Sequence, residues 1–335
     1  MAKISLGVDI GSEDIKVVCL EKNEESYKLN SYGHFRFGGD EEALKRFVQE
    51  AKLPKGDVRI NIEDSSLKIR RLDLPTMTEE EFNEAVRWGM KDIVEGDIND
   101  FIFRCSKIDP TDLSLENKIP MLVFAIKADT VSGRRSFAKR IGFKIPSIIE
   151  PNAGALACLF DALKGKERDS SKAVVDLGRV FSPFIVIGKK GLVFSRPMNG
   201  CSEINFIGQL ARDLGIGSKE AEDLKQKFFG GGKISGEIET RLKNSVTQFY
   251  SKMAVEIQRS IDGYNLVFGR QKVDEIFLCG NGAYSKGLIG YLNQTLGVKT
   301  GILDPFEFAD TREFSPGPFD GKRALFAVAC GLAVD

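Results

Sequence analysis

Apolar runs alternate with short turns at the start of the chain in a pattern that predicts a β-hairpin. Residues 4–10 and 15–20 are mostly apolar and flank the turn Gly-Ser-Glu-Asp, as paired strands do. A similar order recurs in the second half, where residues 173–178 end in Asp-Leu-Gly and the apolar residues 184–187 follow. Two such units, one opening each half, indicate a duplicated architecture, although turns of the type Asp-x-Gly are common in unrelated folds.

Helical periodicity predicts the main helices. Thr78, followed three residues later by Glu81, forms a capping-box pattern and predicts a helix that begins at about Glu79. An apolar stripe with helical spacing follows, made of Phe82, Val86, Met90 and Ile93. The longest predicted helix carries apolar residues at intervals of three and four, namely Ile238, Leu242, Val246, Phe249, Met253, Ile257, Ile261 and Tyr264. A coiled coil is the alternative for this segment, but the surrounding strands favour a helix packed on a sheet.

Strands and helices alternate along the rest of the chain, which predicts an α/β fold. Residues 58–62 alternate between apolar and polar side chains as a half-buried strand does. Further predicted elements are strands at 101–103, 121–126 and 274–279, a helix at about 129–141 and a helix of small residues at 323–331. The polar segment 164–172 is predicted to join two lobes.

Composition limits the class of protein. The chain has 335 residues, of which 42% are hydrophobic, enough for two lobes with substantial cores. Lys plus Arg and Asp plus Glu number 48 each, so a neutral net charge gives no electrostatic reason to expect nucleic acid or an anionic membrane as partner. No apolar run has the length of a membrane span, and the charged N-terminal segment does not resemble a signal peptide. These features predict a cytoplasmic protein.

Cysteine and histidine usage limits the chemistry. The six cysteines lie far apart without a C-x-x-C pair, which predicts reduced thiols rather than a disulfide framework. The single histidine, His34, is expected to be a surface residue of a strand or turn. Metal clusters of histidine ligands and Ser–His or Cys–His nucleophile pairs are therefore disfavoured. Any chemistry must rest on carboxylates, lysines and backbone amides.

Two turns are candidates for binding a phosphate and a metal ion. In the first, Asp9 ends a strand, Gly11 and Ser12 form the turn, and Lys16 returns with a cation. A glycine lets the backbone approach a phosphate, and a carboxylate can hold hydrated Mg²⁺. The second turn has Asp176, Gly178 and Ser182. If the two halves face each other, Asp9 and Asp176 would converge on one metal–phosphate group; ordinary hairpin turns are the alternative.

Two further segments are candidates for binding the rest of a nucleotide. Gly280, Asn281 and Gly282 follow a predicted buried strand, where glycines would let the backbone pass close to a flat base. Glu222 and Lys225 are three residues apart on one face of a helix and could contact a ribose together. Taken alone, the first segment is equally well a loop and the second is better explained as a solvated helix face.

In this order, the segments resemble the superfamily of actin, sugar kinases and heat-shock chaperones. The resemblance implies an actin-like (ribonuclease H-type) duplicated two-lobe fold that binds ATP and Mg²⁺. It assigns the turn at Asp9 and the turn at Asp176 to phosphate binding and metal binding, the metal being held through water. It also assigns Glu222 and Lys225 to the ribose and the loop at residues 280–282 to the adenosine. Glu150, which opens an interlobe helix, is the candidate for positioning a water molecule.

Within this superfamily the chain resembles PilM-like proteins. Residues 74–88 look like the extra subdomain of FtsA and PilM, and residues 254–264 are similar to a helix of PilM-like proteins. PilM is favoured over FtsA because no amphipathic membrane-targeting tail follows the fold. The expected domains are a first lobe at 1–73, the extra subdomain at 74–147, an interlobe helix and linker at 148–170, a second lobe at 171–316 and a C-terminal helix returning to the first lobe at 317–335.

The PilM resemblance implies a cytoplasmic nucleotide-binding scaffold of a type IV pilus machine or a related secretion machine. Such a scaffold docks the cytoplasmic tail of an inner-membrane PilN-like protein, and through it lies peripheral to the inner membrane. Other pilus components and self-association are further partners to consider. A small-molecule kinase and an FtsA-like filament-forming ATPase are the alternatives. The partner tail is expected in a groove between the extra subdomain and the first lobe.

The chain departs from the family pattern at both nucleotide loops. Arg179, Val180 and Phe181 stand where the second phosphate loop usually has further glycines and a threonine or serine, and Asn281 replaces a glycine. We therefore predict ATP binding with slow or absent hydrolysis. Trp88, the only tryptophan, lies off the apolar stripe of its helix; packing within the chain is favoured over a role as a binding anchor.

Overall fold

A computed structural model describes residues 3–24, 26–51, 53–54, 56–108, 118–164, 171–189, 191–269, 272–312 and 319–334. The strands are β1 (Lys3–Ile10), β2 (Asp14–Lys22), β3 (Tyr27–Arg36), β4 (Asp57–Ile62), β5 (Lys68–Pro75), β6 (Phe101–Lys107), β7 (Lys118–Lys127), β8 (Ile148–Pro151), β9 (Ser171–Asp176), β10 (Pro183–Gly188), β11 (Gly191–Pro197), β12 (Val273–Cys279), β13 (Lys299–Ile302) and β14 (Ala309–Asp310). The helices are α1 (Glu41–Glu50), α2 (Glu79–Met90), α3 (Ala128–Arg140), α4 (Asn152–Lys164), α5 (Glu203–Leu214), α6 (Ser218–Phe229), α7 (Gly236–Phe268), α8 (Leu288–Leu296) and α9 (Ala327–Ala333).

The chain divides into two compact units. The first comprises Met1–Ser171, Ile185–Ser195 and Asp304–Asp335, and the second comprises Lys172–Phe184 and Arg196–Leu303. The predicted second lobe, residues 171–316, includes residues 304–312. They belong to the first unit because β14 pairs with β3, with Ala309 opposite Tyr27. Of the predicted linker 164–172, residues 165–170 lie outside the described residues, and the last two residues already belong to β9.

A six-stranded sheet forms the centre of the first unit, in the order β14-β3-β2-β1-β4-β8. The predicted hairpin is confirmed, since β1 and β2 pair antiparallel along their whole length. Strands β4 and β8 then continue the sheet parallel to β1. Helices cover both faces. On one face α1 contributes Leu44 and Val48 to the core and α3 contributes Ala138, followed by Ile141 just after its end. On the other face α9 packs on β1.

Strand β4 differs from its predicted half-buried character. Its apolar residues face the core, but Arg59 and Asn61 are also buried, with only 9% and 3% of their surfaces exposed. The Arg59 guanidinium donates to the carbonyl of Val334 at 2.7 Å, next to the end of α9. The expectation was wrong because alternation in the sequence does not reveal whether a helix covers the polar face of a strand.

The first unit also contains a separate three-stranded antiparallel sheet, β5-β7-β6, with α2 packed on one face, in the region of the predicted extra subdomain. The capping box at Thr78 and Glu81 is confirmed. Gly89 lets α2 approach β5, because a Cβ there would lie 2.7 Å from Leu72 Cδ1. The sheet begins at Lys68, before the predicted boundary at residue 74. At the other end, α3 contributes to the core of the six-stranded sheet, although the predicted subdomain included it.

A second sheet has five strands in the order β11-β10-β9-β12-β13. The helix α7, with 33 residues, confirms the predicted longest helix. Its apolar stripe from Leu242 to Tyr264 is buried, while Ile238 stays exposed. The predicted C-terminal helix begins later than expected: residues 320–326 form a 3₁₀ segment that is interrupted at Lys322, and α9 follows. Within the described part of the chain, no helix combines the length and apolar composition that a bilayer span requires.

Two side chains depart from the packing predicted for them. Trp88 is 81% exposed on α2, so the expectation that it packs within the chain is wrong. Cys158 is also exposed, whereas Cys19, Cys201 and Cys279 are buried free thiols as predicted. The opposite face of α2 packs on the small sheet, and Trp88 points away from it into solvent.

Candidate functional site

The turn between β1 and β2 holds the predicted phosphate-binding residues of the first unit. Asp9 pairs with Lys16 across the two strands. The Lys16 ammonium lies 3.4 Å from Asp9 Oδ2 and 2.9 Å from Asp14 Oδ1. Burial raises the pKa of the Asp9 carboxyl, against the opposing charge of Lys16. Lys16 therefore has two carboxylate partners. Asp9 is a candidate residue from the sequence, whereas Asp14 is not.

Gly11 is required by the geometry of this turn. Its N–H donates to the Asp14 carbonyl at 2.8 Å. A Cβ at Gly11 would lie 2.4 Å from Asp14 Oδ1, so any larger residue would displace that carboxylate. Ser12, the next residue, is exposed, so its hydroxyl faces solvent at the tip of the turn.

Asn61 holds Asp9 in place, and sequence reasoning did not identify it. The Asn61 side-chain amide donates to Asp9 Oδ1 at 2.7 Å and to Asn152 Oδ1 at 3.1 Å. Its carbonyl oxygen accepts the N–H of Ile10 at 2.8 Å. One buried amide thus fixes the end of β1 and the start of α4. The only signal in the sequence was an asparagine in a strand of otherwise branched apolar residues.

Glu150 lies at the end of β8, directly before α4. Burial raises the pKa of its carboxyl. A Cβ at Gly154 would lie 1.8 Å from Glu150 Oε1, so the carboxylate rests against the first turn of α4 only because residue 154 is a glycine. Its position at the end of a strand, in the same unit as Asp9, is compatible with the predicted role in positioning water.

Two glycine loops of the second unit pack directly on each other. Leu177 donates its N–H to the Cys279 carbonyl at 2.9 Å and accepts the N–H of Gly282 at 3.1 Å. Gly280 has a positive φ of 77°, and a Cβ there would lie 2.7 Å from the Leu177 carbonyl oxygen and 2.8 Å from Asp176 Oδ1. The structure therefore brings the turn at Asp176 and Gly178 together with the loop at residues 280–282.

Glu222 and Lys225 belong to a network of four charges. Arg179 donates to both carboxylate oxygens of Glu222, at 3.1 and 3.2 Å, and lies 3.8 Å from Glu203. Lys225 forms an ion pair with Glu203. The two predicted ribose-binding residues thus lie side by side as expected, each with a partner of opposite charge. Arg179, which the sequence indicated only as a departure from the family pattern, links them.

Other predicted residues of the second unit differ in exposure. Ser182 is buried, and its hydroxyl donates to the Cys201 carbonyl at 3.4 Å, so it has a partner inside the protein. Asn281 is exposed. Among the described residues, no three His, Cys, Asp or Glu side chains cluster to hold a metal ion. A Mg²⁺ ion at either Asp9 or Asp176 would therefore take most of its ligands from phosphate oxygens and water.

Comparison with known proteins decides the family. A family model described as type IV pilus assembly protein PilM matches residues 7–335. The chain belongs to the PilM family. A solved PilM–PilN type IV pilus biogenesis complex is similar to this PilM-family chain with a TM-score of 0.78 and 21% identity, over 98% of this chain and 97% of that one.

More distant structures share the fold of this PilM-family chain. The ethanolamine utilization protein EutJ from Carboxydothermus hydrogenoformans has a TM-score of 0.55 and 14% identity, over 100% of this chain and 89% of that one. Component A of the (R)-2-hydroxyglutaryl-CoA dehydratase from Acidaminococcus fermentans has a TM-score of 0.50 and 11% identity, over 99% and 96% of the two chains. The predicted α/β fold of actin-like type is thereby confirmed.

Proposed function

We propose that this PilM-family chain is a nucleotide-binding scaffold of a type IV pilus machine. It binds the cytoplasmic tail of a PilN-like inner-membrane protein and is thereby held in the cytoplasm at the inner membrane. Family membership over residues 7–335 supports the pilus assignment. The similar solved complex, which contains PilM and PilN, supports the choice of partner.

The small sheet β5-β7-β6 carries this proposal. The face away from α2 presents three half-buried apolar side chains, Ile69, Ile102 and Phe124. They lie beside Leu122 and Ile126, which are already buried within the chain. Ile69 lies directly opposite Phe124 in the register of β5 and β7, and Ile102 lies on the other side of β7. Within the described residues, neither outer strand of this sheet pairs with a second strand. A partly solvated apolar face between two open strand edges suits an extended peptide.

An extended tail has two means of binding such a sheet. Its backbone can add to an open strand edge through hydrogen bonds, and its apolar side chains can cover the half-buried face. The open edges supply the first contribution and Ile69, Ile102 and Phe124 supply the second. Because side chains of an extended peptide alternate between its two faces, we expect every second residue of the tail to be apolar.

The proposal is tested by titrating the whole chain with a synthetic N-terminal tail of its PilN-like partner, with and without Mg-ATP. We expect Phe124→Ala and Ile102→Ala each to weaken binding by about 5- to 100-fold, the usual effect of truncating an apolar anchor. Trp88→Ala is the matched control, because Trp88 lies on α2 at the opposite face, and it should leave the affinity unchanged. Hydrogen exchange should slow in β5, β6 or β7.

Two results would remove the scaffold assignment. One is no detectable binding at high micromolar peptide. The other is protection confined to the second unit. A loss of binding in Trp88→Ala alone would instead move the docking surface to α2. Melting temperatures of the free variants show whether Phe124→Ala and Ile102→Ala remain folded.

We also propose that the chain binds Mg-ATP. In the first unit, Asp9, Gly11, Ser12 and Lys16 fit a phosphate group, since a glycine turn, an exposed hydroxyl and a cation lie together. In the second unit, Asp176, Gly178, Gly280 and Gly282 form the paired glycine loops, with Asn281 beside them. Glu222 and Lys225 supply ribose contacts, and Ser182 supports the loop from inside. Bound Mg²⁺ would neutralise phosphate charge beside Asp9 and Asp176.

A further inference from the structure

Arg134 lies beside the first phosphate turn, although it comes from a different part of the sequence. It sits in α3, and its guanidinium Nη1 donates to the carbonyl of Ile10 at 3.2 Å. Ile10 is the last residue of β1, directly before Gly11. The side chain is partly buried. A cation from the helix that follows the small sheet therefore contacts the backbone of the turn that we assign to phosphate.

The charges around Arg134 leave it without an ion pair. Lys16 has Asp9 and Asp14 as direct partners, but no carboxylate of the described residues forms an ion pair with Arg134. Burial lowers the pKa of its guanidinium, while the more distant charges of Asp9, Asp64 and Glu63 oppose this. An arginine keeps its charge at neutral pH and has five N–H donors. Of these, the described residues engage one.

A structural role alone accounts poorly for this arrangement. One hydrogen bond to the Ile10 carbonyl needs a single donor and no charge, whereas a partly buried cation without a carboxylate in direct contact is costly. An anion placed at the turn would engage the remaining donors of the guanidinium. Arginine favours phosphate because its planar donors match two phosphate oxygens at once.

We propose that Arg134 binds the γ-phosphate of the nucleotide and makes the chain distinguish ATP from ADP. This inference rests on the proposed binding of Mg-ATP. The γ-phosphate is favoured because Mg²⁺ bridges β- and γ-phosphate oxygens, and Arg134 lies next to Asp9, the residue assigned to the hydrated metal. Since α3 begins where β7 ends, Arg134 also connects the nucleotide to the middle strand of the proposed docking sheet.

The inference is tested by calorimetric titration of the full chain with Mg-ATP and with Mg-ADP. We expect Arg134→Gln to weaken ATP binding by about 10- to 100-fold, the usual range for a lost charge-assisted hydrogen bond. ADP lacks the γ-phosphate, so its affinity should change by less than about 3-fold. Arg134→Lys should recover part of the ATP affinity because it keeps the charge. Arg135→Gln, an exposed neighbour on the same helix, is the matched control and should bind both nucleotides like the wild type.

Each other outcome contradicts the inference in a distinguishable way. Equal losses for ATP and ADP in Arg134→Gln, with a lower melting temperature without nucleotide, would assign Arg134 to support of the turn. Unchanged binding of both nucleotides would give it no ligand role. If the wild type itself binds neither nucleotide at millimolar concentration, the proposed nucleotide function fails together with this inference.

Discussion

At the scale of single residues, the carboxylates near the first turn differ in what stabilises them. Asp9 is buried and held by Asn61 and Lys16. Asp14 bonds to His34 at 3.0 Å and to Lys16 at 2.9 Å. Burial acts to raise the pKa of Asp14, but the hydrogen bond with His34 and the charge of Lys16 outweigh it and lower the pKa to about 2. His34, expected to be a plain surface residue, thus supports the turn.

Because the pKa of Asp14 is lowered in the folded state, the free energy of unfolding should fall as the pH becomes acidic. An unfolded aspartate has a pKa of about 3.9, so the folded state favours the charged form. The contribution, roughly 2 kcal/mol, is fully present above pH of about 4 and is lost as pH falls toward 2. Asp14→Asn should therefore lower the free energy of unfolding by up to this amount at pH 7, and the difference from the wild type should shrink at lower pH.

Denaturant unfolding at pH 7, 4 and 3 checks this expectation. Glu84→Gln, at an exposed position of α2, provides the control for removing a carboxylate without partners among the described residues. A difference between wild type and Asp14→Asn that stays constant over this range would show that Asp14 contributes by shape or hydrogen bonding and not by its charge.

At the scale of elements, α9 depends on two glycines for its position in the first unit. A Cβ at Gly7 of β1 would lie 1.8 Å from the Ala329 carbonyl oxygen, and a Cβ at Gly331 would lie 1.9 Å from the Ala155 carbonyl oxygen. The backbone of α9 therefore contacts β1 directly at Gly7, and Gly331 of α9 contacts the backbone of α4 directly. Neither contact leaves room for a side chain at the glycine. Arg59 of β4, the strand next to β1, donates to the Val334 carbonyl just after α9.

Gly331→Ala should destabilise the first unit. The added methyl group meets backbone, which cannot rotate away, so α9 and α4 must separate; overpacking of this kind costs about 1–3 kcal/mol. We expect a clear fall in the denaturant midpoint. Gly290→Ala is the matched control in another helix, where a Cβ meets nothing within 4 Å, and it should be neutral or slightly stabilising. Equal effects of both substitutions would contradict the close approach.

At the scale of the whole molecule, the proposed nucleotide binding should appear as a gain in the stability of the folded chain. Nucleotide binding to the folded state raises stability by about 2.7 kcal/mol when its concentration is 100 times Kd, which thermal melting detects. We expect Lys16→Ala in the first unit and Glu222→Gln in the second each to reduce the ATP-induced rise in melting temperature. Lys45→Ala, at a partly exposed position of α1, should leave the rise intact. A rise that either variant leaves unchanged would contradict the nucleotide-binding role assigned to that residue.

The same preparations should hydrolyse ATP slowly or not at all. In the second phosphate loop, Arg179 is engaged by Glu222, Val180 is exposed and the Phe181 carbonyl lies against Gly178. Residues 179–181 of this loop include no further glycine and no threonine or serine to hold a terminal phosphate, and phosphoryl transfer depends on such positioned contacts. Turnover of several ATP molecules per second, measured as released phosphate, would show that this expectation is wrong.

The sequence by itself determined the local elements and the family. The hairpin at β1 and β2, the capped helix α2 and the long helix α7 follow from periodicity and capping, which are properties of neighbouring residues. The order of the weak motifs along the chain is enough to indicate an actin-like fold and a PilM relative. The helices and the hairpin can be predicted from the sequence because each depends on residues that are only a few positions apart.

Only the tertiary structure decided which distant residues meet. Arg134 reaches Ile10 across 124 positions, Asn61 reaches Asp9 across 52, and Arg179 reaches Glu222 across 43. Likewise, β14 joins the first sheet and Trp88 remains exposed because of how whole elements pack. A hydrophobic pattern states which face of an element avoids water, but it does not state which other element covers that face, or whether a helix also covers the polar one.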